Sequence, residues 1–240
     1  MIKCPWPALL TAVLISWFPA FAQPHVDWLR LYGGPDDEVG YALLPVSGGW
    51  LVAGCVGSEL TGTSDGLALW LNYNGDSLTS ATFGNGSRGE VFYSIATSSD
   101  SIYVLVGTYS IGFWLRRGIW LVAIDLGGNL LWERTYGTSH GGAGFSVQST
   151  TEGNFVIAGV ISESDSGPGE AFVMLVNADG DSLDGSWLGG PTFDAGRAIL
   201  PQTDGYLVAG TFEGSNNPDF WLVRTSDALD SVWSRSYGIG

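Results

Sequence analysis

The sequence is poor in the residues that most often carry out chemistry in proteins. Its 240 residues include one lysine, Lys3, two histidines and two cysteines, Cys4 and Cys55. So few histidines and thiols argue against a histidine-based catalytic triad and against a zinc site. There are 24 acidic residues against 9 basic ones, and the net charge is −15. Such an acidic surface disfavours nucleic acid and anionic lipid as partners.

Long apolar runs are also missing after residue 22. The first 22 residues combine Lys3, an apolar run from Ala8 to Phe18 and a small-residue cleavage pattern at Ala20-Phe21-Ala22. This pattern predicts a secretory signal peptide, residues 1–22, and a mature chain without a membrane span. We therefore expect a protein that is secreted, periplasmic or attached to the cell surface. Only Cys55 remains in residues 23–240, so no internal disulfide is expected.

In place of these features the sequence has a repeat of about fifty residues. One phrase occurs four times, as GWLVAG, IYVLVG, NFVIAG and GYLVAG, and a large apolar residue follows each copy at nearly constant spacing. The glycines that end the phrases are Gly54, Gly107, Gly159 and Gly210, and the apolar residues are Leu67, Trp120, Phe172 and Trp221. Because both landmarks share one period, the repeat predicts the fold. The predicted units are 34–84, 85–137, 138–189 and 190–238, within one domain of residues 23–240.

Each unit is predicted to contain four short strands. The second strand is continuously apolar, which indicates that both faces of its sheet are covered. The fourth strand alternates, with Trp132, Arg134 and Tyr136 on one face, as expected at an outer edge. These features favour an all-β fold, a β-propeller of four four-stranded repeats, over a β-sandwich or another solenoid. We expect burial between blades for the central residues of the second strands: Val52, Val106, Ile157 and Val208.

The two ends of the chain carry the same element. Residues Trp28 to Gly33 resemble a fourth strand, although the last unit already has its own fourth strand from Val232 to Gly238. A closed ring of four blades needs only one of them. The sequence therefore predicts an extra N-terminal strand. It also predicts either an open arc of a larger ring, truncated at Gly240, or a strained closure of four blades.

These motifs resemble the β-propeller repeats of secreted bacterial surface proteins, which often carry C-terminal sorting domains. The resemblance rests on the segments Trp132–Gly137, Trp233–Gly238, Gly205–Gly210 and Asp219–Leu222, and it extends over nearly all of residues 23–240. It implies a propeller fold and export, but no reaction, and no sorting domain is present in this sequence. Two fourth strands depart from the pattern, because Thr79 and Asp184 stand where tryptophan is expected.

One loop differs from its three counterparts. Between the second and third strands the other units are polar, whereas the second unit contains Phe113, Trp114, Arg116 and Arg117. Tryptophan and arginine are enriched at binding hot spots, so these four residues are a candidate partner-binding site. The alternative is an extended strand that buries Trp114 against a neighbouring blade.

Acidic loop residues are the second candidate. Asp36, Asp37 and Glu38 follow the first Tyr-Gly step, and Asp194 takes the matching place in the fourth unit. Their carboxylates could bind Ca²⁺ or form an acid/base pair. The alternative is turn formation and capping of backbone N–H groups.

We therefore expect an exported, non-catalytic binding or structural module that presents loops to a polysaccharide or a protein at the cell surface. No cofactor is expected, apart from Ca²⁺ as an option. The alternative class is an enzyme, either a glycoside-cleaving propeller with paired loop carboxylates or a quinoprotein-like redox propeller. Two carboxylates about 5–10 Å apart at the mouth of the axis would favour the glycosidase.

Overall fold

The computed structural model describes residues 28–58, 62–84, 88–98, 102–110, 116–137, 140–162, 164, 167–190, 192–213 and 218–238. Sixteen strands in these residues form four antiparallel sheets of four strands each. The described part of the chain contains no helix, and so none that is long and apolar enough to cross a membrane. The predicted signal peptide lies outside the described residues. The prediction of an all-β fold made of four four-stranded units is confirmed.

Each sheet corresponds to one repeat, and its strands pair in chain order. Sheet 1 contains β1 (Glu38–Val46), β2 (Gly49–Val56), β3 (Asp65–Asn72) and β4 (Ser77–Phe83). Sheet 2 contains β5 (Gly89–Thr97), β6 (Tyr103–Ser110), β7 (Arg116–Ile124) and β8 (Leu130–Tyr136). Sheet 3 contains β9 (Gly142–Ser149), β10 (Phe155–Ser162), β11 (Gly169–Val176) and β12 (Ser182–Trp187). Sheet 4 contains β13 (Asp194–Gln202), β14 (Gly205–Glu213), β15 (Pro218–Thr225) and β16 (Ser231–Tyr237).

The sheets pack as successive blades of a β-propeller. Apolar clusters are buried between sheets 1 and 2, between sheets 2 and 3, and between sheets 3 and 4. The first strands of neighbouring sheets contact one another, so β1, β5, β9 and β13 are the innermost strands. Among the described residues no comparable contact joins sheet 4 to sheet 1. The four blades therefore form an open arc, with one outer face exposed at each end.

The open ends explain the single exception to the predicted burial. Val106, Ile157 and Val208 are fully buried between blades, as expected from the apolar second strands. The prediction was wrong for Val52, which is only partly buried. Val52 faces the open side of sheet 1, which none of the described sheets covers. Its counterpart in sheet 2, Leu105, faces sheet 1 and is fully buried.

A β-bulge in the innermost strand explains why the repeated phrase ends in glycine. Gly54 pairs with Gly40, and the register then shifts so that Tyr41 is left as an extra residue. At this point the backbone of β1 comes so close that a Cβ atom on Gly54 would collide with the carbonyl oxygen of Val39. A Cβ atom would collide with a backbone carbonyl oxygen in the same way at each of the equivalent glycines, Gly107, Gly159 and Gly210. Only glycine allows the two backbones to approach this closely.

The N-terminal segment departs from its prediction. Residues 28–33 are described, but they form no strand, because the described chain provides no neighbouring strand for their backbone. Their side chains nevertheless contact the β3–β4 turn of sheet 1. The hydroxyl of Tyr32 donates a hydrogen bond to the carbonyl oxygen of Gly75, and the Trp28 ring lies against Gly75.

Side chains from other positions fill the space of the tryptophans that the repeat pattern places at Thr79 and Asp184. In sheet 3 the turn residue Gly180 lies under the ring of Trp132, which comes from β8 of the preceding sheet. In sheet 2 the equivalent Gly128 lies under Trp70, which comes from β3 and pairs with Thr79. In sheet 4 the same turn position holds Leu229, which is fully buried despite a φ of 58°. At each of these three junctions between sheets an apolar side chain therefore fills the space at the turn. The strand or turn that provides this side chain differs from one junction to the next.

Candidate functional site

The bulge in each innermost strand produces a row of side chains along the inner edge of the arc. The register shifts leave one extra residue each in β1, β5, β9 and β13. These residues, each 52 positions after the previous one, are Tyr41, Tyr93, Phe145 and Arg197. We call them the axial row. Their common origin in the bulge places equivalent side chains of four blades next to one another.

The members of the axial row contact each other in sequence. The rings of Tyr41 and Tyr93 meet edge to face, with centroids 5.1 Å apart. The rings of Tyr93 and Phe145 are tilted, with centroids 5.6 Å apart. The guanidinium carbon of Arg197 lies 4.2 Å from the centroid of the Phe145 ring. Such contacts add about 0.5–1.5 kcal/mol per aromatic pair and fix the orientation of the rings.

Side-chain hydrogen bonds keep the innermost strands at constant separation. The Val147 N–H donates to Ser94 Oγ at 3.2 Å, which links β9 to β5. The Ile199 N–H donates to Ser146 Oγ at 3.2 Å, which links β13 to β9 in the same way. These bonds follow directly after the bulges. They therefore hold Tyr93, Phe145 and Arg197 of the axial row in register between blades.

The axial row is accessible to a ligand. Tyr41 is 44% exposed, Arg197 is exposed, and Tyr93 and Phe145 are partly buried. Aromatic rings with one solvent-exposed edge provide apolar contact area at low entropic cost, and tyrosine hydroxyls add hydrogen bonds. A guanidinium donates up to five hydrogen bonds. The row can therefore bind an extended ligand with apolar faces and many hydroxyl groups.

The predicted acidic loop residues are divided between the two ends of the arc. Asp36 and Asp37 are exposed, and Glu38 accepts a hydrogen bond from the Gly34 N–H at 2.7 Å. Asp194 is fully buried and accepts hydrogen bonds from the N–H groups of Gly190, at 2.6 Å, and Glu213, at 3.0 Å. Glu38 and Asp194 are each the first residue of an innermost strand. Each accepts a hydrogen bond from the N–H group of the residue four positions earlier. Ca²⁺ binding by these loops remains a prediction.

Sheet 2 places a third acid, Glu90, at the same position, and this one is chemically unusual. Glu90 is 5% exposed, and its Oε2 has no hydrogen-bond partner. Burial, with a further contribution from the nearby Asp65 carboxylate, raises the pKa of Glu90 to about 7. Asp65 Oδ1 and Glu90 Oε2 are neighbours, since a Cβ atom on Gly84 would touch both. Sequence reasoning missed this pair, because the two residues meet only at the junction of sheets 1 and 2.

The predicted partner-binding loop is not described in the structure. Phe113 and Trp114 lie outside the described residues, and for Arg116 and Arg117 only the backbone in β7 is described. Their role in binding stays a prediction. Across the part of the chain that the structure covers, no group of three or more His, Cys, Asp or Glu side chains is arranged to hold a metal ion.

Sequence reasoning also missed the axial row. Its residues differ in type from blade to blade, so no motif marks them. The constant spacing of 52 residues is the signal that could have found them, provided that a bulge was expected opposite each phrase-ending glycine.

Comparisons with known proteins bear on the fold alone. No family model and no curated protein matches the chain. Among solved structures, Kuenenia stuttgartiensis hydrazine synthase is similar, with a TM-score of 0.53 at 8% identity over 82% of this chain and 49% of that chain. Cobalt-substituted Synechocystis ACO matches with a TM-score of 0.45 at 10% identity, over 78% of this chain and 46% of that chain. The chain thus spans about half the length of these matched structures.

Proposed function

We propose that the protein is an exported, non-catalytic binding module that recognises a neutral polysaccharide at the cell surface through its axial row. The observation that carries this proposal is the continuous contact from Tyr41 through Tyr93 and Phe145 to Arg197. Four blades contribute one side chain each. The result is an extended, partly exposed surface in place of a single deep pocket.

The chemistry of the row favours a sugar chain. The C–H faces of pyranose rings are apolar and stack on aromatic side chains, and their hydroxyl groups accept hydrogen bonds from a guanidinium and from phenols. A rigid row of rings loses little conformational entropy when it binds such a chain. A net charge of −15 opposes binding of anionic polysaccharides, so a neutral chain is the better ligand.

Affinity electrophoresis in gels that contain neutral polysaccharides tests the proposal. We expect retardation in at least one gel of a panel of mannan, dextran, starch and a β-glucan. Arg197→Ala and Tyr41→Ala should each weaken this binding by about tenfold, equivalent to about 1.4 kcal/mol. Both side chains are exposed, so neither change should unfold the protein.

Tyr73→Ala is the matched control. Tyr73 is also an exposed tyrosine, but it lies on the β3–β4 turn of sheet 1, outside the axial row. It should leave the retardation unchanged. Binding that is insensitive to the axial substitutions, or equally sensitive to Tyr73→Ala, would refute the proposed site. Failure of every polysaccharide in the panel would favour a protein ligand instead.

A glycoside-cleaving enzyme is the second candidate, and one observation favours it. Asp65 and Glu90 form a carboxyl pair in which Glu90 has a pKa of about 7, suited to a general acid. However, Glu90 is 5% exposed and cannot touch a substrate without a rearrangement. Hydrolysis of chromogenic glycosides that is abolished by Glu90→Gln would make this second candidate the function. We expect no such hydrolysis.

A further inference from the structure

The N-terminal segment binds sheet 1 in the way that an outer strand binds the following sheet. At the junction of sheets 2 and 3, β8 provides three side chains that contact the β11–β12 turn. Trp132 Nε1 donates to the carbonyl oxygen of Ala178 at 2.7 Å, and Arg134 donates to that of Asp179 at 3.3 Å. The hydroxyl of Tyr136 donates to the carbonyl oxygen of Gly180.

Residues 28–33 repeat this arrangement on the β3–β4 turn of sheet 1. The ring of Trp28 lies against Gly75, as that of Trp132 lies against Gly180. The Tyr32 hydroxyl donates to the Gly75 carbonyl oxygen, as Tyr136 does to that of Gly180. Arg30 lies 3.9 Å from a carboxylate oxygen of Asp76. The segment therefore occupies the place of the fourth strand of a sheet that would precede sheet 1.

The other three strands of that sheet are absent from the described chain. A trough of about 670 Å³ opens between the segment and the outer face of sheet 1. Its apolar floor is formed by Val52, Val56, Leu67 and Leu69 of β2 and β3, and polar residues of β4 border it. The counterpart of Leu67 in sheet 2, Trp120, is 1% exposed because sheet 1 covers it. Leu31 also lines the trough, and Leu29 and Leu31 are 76% and 94% exposed.

We infer that this end of the arc docks a three-stranded antiparallel sheet of the same repeat that lacks its own fourth strand and takes residues 28–33 in its place. The apolar floor would cover the face of the incoming sheet, and the backbone of residues 28–33 would pair with its third strand. This inference is independent of the proposed ligand of the axial row.

A second copy of the chain fits this site less well. The exposed sheet at the far end of a second copy is sheet 4, in which β15 already pairs with β16. The place that residues 28–33 would take beside β15 is therefore filled. Only a sheet whose third strand has a free edge completes the arrangement.

Hydrogen exchange on an extended chain tests the inference. A copy of residues 190–230, which contains three strands, is appended to the full chain, and a second variant receives residues 190–238, which contain all four. The amides of residues 29–33 form no ladder in the structure. With the three-stranded addition their exchange should slow by at least about tenfold, whether pairing occurs within one molecule or between two.

The four-stranded addition is the matched control, because its own fourth strand fills the pairing edge. With it, residues 29–33 should exchange as in the unmodified chain. Trp28→Ala with Tyr32→Ala should abolish the protection in the three-stranded variant, whereas Trp187→Ala, which changes an exposed tryptophan elsewhere, should not.

Three outcomes would overturn the inference. The first is unprotected residues 29–33 beside an added sheet whose own amides are protected. The second is concentration-dependent protection of these residues in the unmodified chain, which would identify a second copy as the occupant. The third is an added sheet whose own amides stay unprotected from exchange, both when residues 190–230 are appended and when residues 138–181 are appended instead. That outcome would show that the exposed faces do not accept a further repeat.

Discussion

The carbonyl oxygen of Val39 occupies the space in which Gly54 would carry a Cβ atom. This close approach is the geometric source of both main features of the molecule. It requires glycine at the end of each repeated phrase. It also accompanies the bulge that projects Tyr41, Tyr93, Phe145 and Arg197 as a row.

Gly107→Ala should destabilise the protein strongly. Its new Cβ atom would collide with the carbonyl oxygen of Val91, which belongs to backbone and cannot move without breaking the β5–β6 ladder. We expect a loss of about 3 kcal/mol in the free energy of unfolding, measured with urea. Gly190→Ala is the control, because its Cβ atom would make only ordinary contacts at 3.8 Å or more. Equal losses for the two variants would contradict the steric explanation.

Equivalent core positions should differ in cost according to their place in the arc. Ile157→Ala removes a fully buried side chain between sheets 2 and 3 and should cost about 2–5 kcal/mol. Val52→Ala, at the same position of the repeat, should cost less than about 1 kcal/mol, because its face of sheet 1 is open. Thermal and urea unfolding of both variants give the comparison. A loss for Ile157→Ala below half a kilocalorie would contradict burial on two faces.

A tryptophan on the neighbouring strand β4 should be able to replace Trp70, which covers Gly128 from β3. Trp70→Ala should cost about 3–5 kcal/mol, since the ring is buried over the turn. Adding Thr79→Trp to this variant recreates the cross-strand pair of Ala123 and Trp132 found in sheet 2. We expect the double variant to recover at least half of the loss in urea unfolding. Thr79→Trp alone should give no gain, because Trp70 already fills the space.

The stability of the protein should fall as pH rises from about 4.5 to about 7. The pKa of Glu90 is about 7 in the folded protein because of burial and the nearby Asp65, against an ordinary value of 4.5. Over this range the folded state holds a proton that the unfolded chain has released, so deprotonation favours unfolding. The contribution is fully present below pH 4.5 and lost above pH 7. Arg88 and Glu133 also act on Glu90, and their effects oppose each other.

Glu90→Gln should remove this pH dependence. We expect the variant to match the parent protein at pH 4 and to exceed its free energy of unfolding at pH 8 by about 1–3 kcal/mol, at roughly 1.4 kcal/mol per pKa unit. Glu152→Gln, at an exposed turn residue, is the control and should follow the parent at both pH values. A variant that is less stable than the parent at pH 8 would show that the Glu90 carboxylate is stabilised in the fold.

Most of the blade structure could be predicted from local patterns. The two landmarks of the repeat lie opposite each other in the sheets, Gly54 with Leu67 and Gly107 with Trp120, as members of consecutive strands of one unit. The exposed fourth strands also follow from their alternation, as in β8 and β16. These features depend on side-chain periodicity within single strands, which the sequence displays directly.

The features that sequence reasoning missed depend on neighbours in space. Val52 matches Ile157 in the repeat, yet it is only partly buried, because none of the described sheets covers its side of sheet 1. Residues 28–33 carry the signature of a fourth strand, yet they form no strand, since a strand requires a partner. Trp70 and Leu229 replace missing tryptophans from positions that no motif identifies.

The amino-acid sequence by itself determined that this protein repeats a four-stranded unit four times, with a glycine wherever two backbones must touch. Periodicity and local sterics are properties of short segments, so they are readable without a structure. Only the tertiary structure decided that the four described sheets form an open arc, that its bulge residues meet as an axial row, and that Glu90 is buried beside Asp65. Each of these depends on the distance between residues of different blades, which is set by packing of whole sheets.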